Sequence, residues 1–123
     1  LPSGHIVTKT CLRHGHAIAA VLLVLSFAEP AAAGPLEDAD AALKRRDYAT
    51  ALRFIRPLAE QGDASAQYNL GVLYDNGLGV PQDKVRAYMC FTLAAQGRDG
   101  AAAFRDLIAR RMTPALLHAI TNQ

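Results

Sequence analysis

A short run of residues that returns restricts the fold more than anything else in this chain. Leu58-Ala59-Glu60-Gln61-Gly62 comes back as Leu93-Ala94-Ala95-Gln96-Gly97, identical at four of five positions at an offset of 35, and Ala66 recurs as Ala101. Between and around these runs the apolar residues follow helical spacing. Leu36, Ala39, Ala42 and Leu43 make one stripe, Ala51, Leu52, Ile55, Leu58 and Ala59 a second, and Ala66, Leu70, Leu73 and Tyr74 a third. Val85 to Ala95 is apolar almost all round, which suits a helix covered on both sides. Phe104, Leu107 and Ile108 make a fifth stripe, and Leu116, Leu117 and Ile120 a short sixth. No strict apolar alternation is long enough for a strand pair. A period in the mid-thirties carried by helix pairs predicts an all-α fold, a short α-solenoid of antiparallel helix pairs.

The breaks fall where helix ends need them. Gly62-Asp63 closes the second helix, and Asn76 to Pro81 makes a turn after which Asp83 can cap the next helix. Gly97 to Gly100 forms another break, and Thr113-Pro114 is a cap followed by proline at the first helical position.

Residues 1–33 read as a secretory leader. Lys9 and Arg13 supply positive charge, and Ala17 to Ala28 is an apolar run too short to span a bilayer. Ala31-Ala32-Ala33 then predicts cleavage between Ala33 and Gly34. Gly34 stands where a lipoprotein would need cysteine, so residues 34–123 are expected as a domain released to the periplasm or secreted, with no membrane attachment after cleavage. Cys11 would depart with the leader, leaving Cys90 as a lone buried thiol without an internal disulfide.

Past Gly34 the chain has one cysteine (Cys90), one histidine (His118) and one serine (Ser65). That inventory cannot close a four-ligand zinc site. Ser65 lacks the glycines of a nucleophile elbow, and Gly77-Leu78-Gly79-Val80 lacks the lysine and third glycine of nucleotide loops. A formal net charge of +2 without a basic run argues against nucleic acid. No catalytic residue, metal site or cofactor is expected.

Ser65 to Gly97 resembles a Sel-one-like repeat, a relative of the tetratricopeptide repeat. Ala66, Leu70, Gly71, Tyr74, Gly77, Gly79, Val80, Asp83, Ala87, Ala94, Ala95 and Gly97 carry the likeness. Residues 36–62 resemble a degenerate pair, and residues 98–112 the first helix of a third repeat. Cys90 stands where the family usually has tryptophan. The resemblance implies that the small residues, Gly71, Ala87 and Ala94 among them, serve repeat packing. It also implies a groove for a protein partner on the first helix of the pair, where Ser65, Tyr68, Val72, Asp75 and Asn76 would face it.

The expected function is an exported interaction module of the bacterial envelope without catalysis of its own. The alternative is an accessory subunit of a cell-wall-active enzyme, or such an enzyme itself. A monomer is favoured over a homodimer, with Leu116, Leu117 and Ile120 folding back on Phe104 and Leu107.

Overall fold

The computed structural model describes residues 34–122, which form six helices and no strand. They are α1 (Pro35–Lys44), α2 (Tyr48–Glu60), α3 (Ala64–Asn76), α4 (Lys84–Ala94), α5 (Ala101–Arg111) and α6 (Pro114–Thr121). From α1 to α5 each helix packs chiefly on its neighbour in sequence, most extensively α3 on α4. This is the nearest-neighbour organisation of a helical repeat array, and it agrees with the all-α reading.

Local chemistry sets the helix ends. The side chains of Asp47, Asp63, Asp83 and Thr113 each accept a hydrogen bond from the backbone N–H three residues on, opening α2, α3, α4 and α6. Each cap satisfies one donor that a helix start would leave bare. Pro35 opens α1, with Glu37 and Asp38 in its first turn and Lys44 in its last, matching the helix dipole at both ends. Gly77 and Gly79 adopt φ of 65° and 70°, so the loop after α3 needs residues without a Cβ. A Cβ on Gly79 would stand 2.8 Å from that of Tyr48, which shows how closely this loop lies on α2. Arg46, between α1 and α2, also takes a positive φ of 58°; nothing in the sequence marks it.

The core is built largely from small side chains facing large ones. Ala39, Ala42, Ala51, Ala59, Ala66, Ala87 and Ala94 are buried, as are Ile55, Leu70, Leu73, Tyr74 and Phe91. A Cβ placed on Gly71 would meet the Phe91 ring at 3.0 Å, so α3 and α4 approach as closely as glycine allows. A Cβ on Gly97 would lie 3.1 Å from that of Ala64, bringing the end of α4 to the start of α3.

Two expectations are corrected. Cys90 is fully buried as anticipated, but it is disulfide-bonded rather than a thiol. The thiol reading assumed that Cys11 leaves with the leader. The chain has two cysteines, and Cys11, like Ala33 and the rest of residues 1–33, lies outside the described residues. The second correction concerns the tail. No residue of α6 is buried; Ile120 packs against the core, whereas Phe104, Leu107 and Leu116 remain exposed. Of its eight residues only Leu117 and Ile120 are half-buried, too little to cover a neighbour's apolar side.

Candidate functional site

Five residues were expected to share a groove, and all five lie on one side of α3. Ser65, Tyr68, Val72, Asp75 and Asn76 are separated by three, four, three and one residues, so their side chains line one stripe. Asn69 belongs to the same stripe. Its amide reaches the Asp40 carboxylate of α1 at 3.5 Å. On the other flank the Tyr68 ring meets Phe104 of α5 edge-on at 5.3 Å. The stripe therefore lies between α1 and α5.

Its two ends differ in chemistry. At the N-terminal end three rings join: Tyr68 packs edge-on against Phe91 at 5.4 Å, and Phe91 stacks on Phe104 at 5.6 Å. Arg98, from the loop after α4, lays its guanidinium 4.2 Å from the centre of the Tyr68 ring and donates to the Ser65 hydroxyl at 2.9 Å. A guanidinium over an aromatic face is attracted by the ring quadrupole, and the second bond fixes its orientation. At the C-terminal end Lys84 donates to the Asp75 carboxylate at 2.6 Å and to its carbonyl at 3.3 Å, while Gln82 donates to the same carbonyl at 2.7 Å. Asn76 donates to the Val72 carbonyl at 2.9 Å. Asp75 thus ties the end of α3 to the loop and to the start of α4, Asn76 bonds back within α3, and Ser65 and Tyr68 belong to the aromatic end.

The packing residues occupy the opposite side of the helix pair. Ala66, Leu70, Gly71 and Tyr74 of α3 are buried, as are Ala87 and Ala94 of α4. Gly77, Gly79 and Asp83 shape the intervening loop, and Gly34 is the residue on which α1 begins.

A separate cleft of about 240 Å³ is lined by Arg56, Tyr74, Pro81, Asp83 and Arg86 among others. Arg86 pairs with Asp83 at 3.3 Å and donates to the Tyr74 hydroxyl at 3.4 Å, which ties α4 to α3. Among the described residues no group of His, Cys, Asp or Glu side chains is arranged to hold a metal. No helix of the described residues is long and apolar enough to cross a membrane. His118 lies exposed on α6 beside Asn122, and Cys90 is buried and bonded.

Sequence reasoning missed Asn69, Arg98 and the three-ring contact. Asn69 was recoverable, since it stands four residues after Ser65 and three before Val72. Arg98 was not, because a loop residue has no periodicity to betray its direction.

Residues 40–63 and 64–99 each match the Sel1 repeat. The first match ends on Asp63, the cap of α3, and the second contains α3, α4 and the Arg98 loop. No curated protein and no solved structure matches the chain. With two adjacent matches laid over consecutive helix pairs, the chain belongs to the Sel1 repeat family, whose helical repeats generally serve as protein–protein interaction modules.

Proposed function

We propose that this protein is an exported, monomeric module of the bacterial envelope that docks a protein partner on the α3 stripe and performs no catalysis itself. The observation that carries the reading is the Tyr68–Arg98 stack. Tyrosine and arginine are the side chains most often found as binding anchors. Here both are held in place before any partner arrives, Arg98 by Ser65 and Tyr68 by Phe91 and Phe104. A surface already ordered loses less conformational freedom on binding than a mobile one. Export is supported by the leader-like composition of residues 1–33, and α1 starts at Pro35, next to the expected cut. The absence of catalysis is supported by the placement of the two candidate groups: Cys90 is fully buried, and His118 sits on the exposed tail helix.

The test has two readouts in cells. Fractionation should recover the protein from the periplasm or medium with an N-terminus at Gly34; cytoplasmic protein retaining residues 1–33 would refute export. A photo-crosslinking residue at Val72 should trap a partner, while one at exposed Arg53 on α2 should not. Equal trapping at both positions would refute the α3 stripe.

A further inference from the structure

The apolar surface at Tyr68 continues onto α5 and stays open there. Phe104 touches both Tyr68 and Phe91 yet is 41% exposed. Leu107, one turn along the same side of α5, is 43% exposed. Arg111 follows four residues later on that line and is also exposed. At the opposite end Arg98 covers Tyr68. The run Tyr68–Phe104–Leu107 is therefore bracketed by two guanidinium groups. Of the two carboxylates nearby in sequence, Asp106 projects from a different side of α5 and is bound by Arg105 at 2.8 Å. Asp99 is exposed in the loop beside Arg98.

We propose that this run seats an amphipathic segment of a partner protein, its apolar side chains covering Phe104 and Leu107 and its carboxylates meeting Arg98 and Arg111. The inference rests on the interaction reading above and adds the chemistry of the partner. Covering Phe104 and Leu107 also removes water from the flanking arginines. A guanidinium so desolvated is costly unless a carboxylate replaces its hydration. A basic or uncharged segment leaves both cations unpaired, so charge complementarity selects an acidic one. A second copy of this chain is disfavoured as occupant, since a symmetric pairing through the run would set the arginines of one copy near those of the other.

The experiment uses the purified full chain and two fluorescein-labelled helical peptides. They share leucines at positions one turn apart and differ only in carrying glutamates or lysines at the flanks. Fluorescence anisotropy should show the glutamate peptide binding at least about tenfold more tightly at low salt, with the advantage shrinking as salt is added. Leu107→Asp and Arg111→Glu, both at exposed positions, should each weaken that binding by about fivefold or more with an unchanged thermal melt. Arg111→Glu should also narrow the preference over the lysine peptide. Equal affinity for the two peptides, indifference to both substitutions, or a dimer that Leu107→Asp dissolves would each overturn the proposal. Failure here is separable from failure of the interaction reading. A Val72 cross-link that persists in the Leu107→Asp background preserves the α3 stripe and sinks the acidic partner; no Val72 cross-link at all sinks the stripe.

Discussion

Replacing Gly71 with alanine should destabilise the protein, and replacing Phe91 as well should reverse the sign. In an ordinary helix Gly→Ala is favourable by about 1 kcal/mol, because alanine restricts the unfolded chain and suits the helix. At position 71 the added methyl would meet three atoms of the Phe91 ring at 3.0 to 3.1 Å. That is tighter than carbon atoms tolerate without movement, and the ring has little room to retreat. Phe91 is 1% exposed and has Tyr68 and Phe104 packed against it. Overpacking of this kind costs about 1–3 kcal/mol. Taking the middle of that range, Gly71→Ala loses about 1 kcal/mol net, or roughly 4–8 °C in melting temperature for a domain of this size. Phe91→Leu alone loses about 1–3 kcal/mol through the vacated volume and the broken ring contacts. In that background the methyl enters empty space, so adding Gly71→Ala should be neutral or stabilising by up to about 1 kcal/mol. The coupling between the two sites is then about 1–2 kcal/mol, within the range found for residues in contact. Urea unfolding of the four proteins, followed by helical circular dichroism, measures it directly. If Gly71→Ala stabilises the parent, or destabilises both backgrounds equally, the close approach of α3 and α4 is not what position 71 is for.

Other outcomes follow from the caps, the loop and the buried sulfur. Asp63→Ala should cost about 1 kcal/mol by freeing the Ala66 N–H that Asp63 holds at 2.7 Å, with Asp63→Asn recovering most of it in the same unfolding assay. Gly79→Ala should lose more than the roughly 1–2 kcal/mol of a left-handed alanine, because its Cβ also collides with Tyr48, and the change should appear as a lower urea midpoint. Hydrogen bonds from Thr50 hold the Asp47 carboxyl below the ordinary carboxylate range. Its stabilisation is therefore complete above the ordinary carboxylate pKa and is lost as pH falls through the lowered value, so the stability gap between the parent and Asp47→Ala should close in acid. In the full chain Cys90, bonded and buried, should resist alkylation under native conditions and under denaturation alone, labelling only when denaturant is joined by reductant; protein that begins at Gly34 has no second cysteine and should label on denaturation alone.

Much of this fold was legible because repeat helices are bounded by local chemistry. Asp83 and Thr113 cap helices within three residues of themselves, Gly62-Asp63 marks the break between α2 and α3, and Gly77 lies in the turn that ends α3. Such signals need no knowledge of what is distant in sequence. The side of α3 that carries Ser65, Tyr68 and Val72 was legible for a similar reason, since Leu70, Gly71 and Tyr74 claim the packing side. Contacts between residues far apart in sequence were not. Tyr68 meets Phe104, and Arg98 turns back to Ser65, through geometry that helical spacing does not encode. The same limit explains the tail: Leu116 and Ile120 look alike on a helical stripe, yet only the second reaches the core. Cys90 was misread for a different reason, because its state depends on a residue assigned to a segment expected to be discarded.

The meeting of Gly97 with Ala64, and of Arg98 with Ser65, has a consequence for how such a chain can grow. Residues near the two ends of the second repeat meet, so the segment that a genetic duplication would copy closes upon itself. A duplicate inserted at that seam brings its own clasp and displaces none of the old one. Arrays assembled this way can lengthen or shorten by whole units without relearning how each unit is fastened.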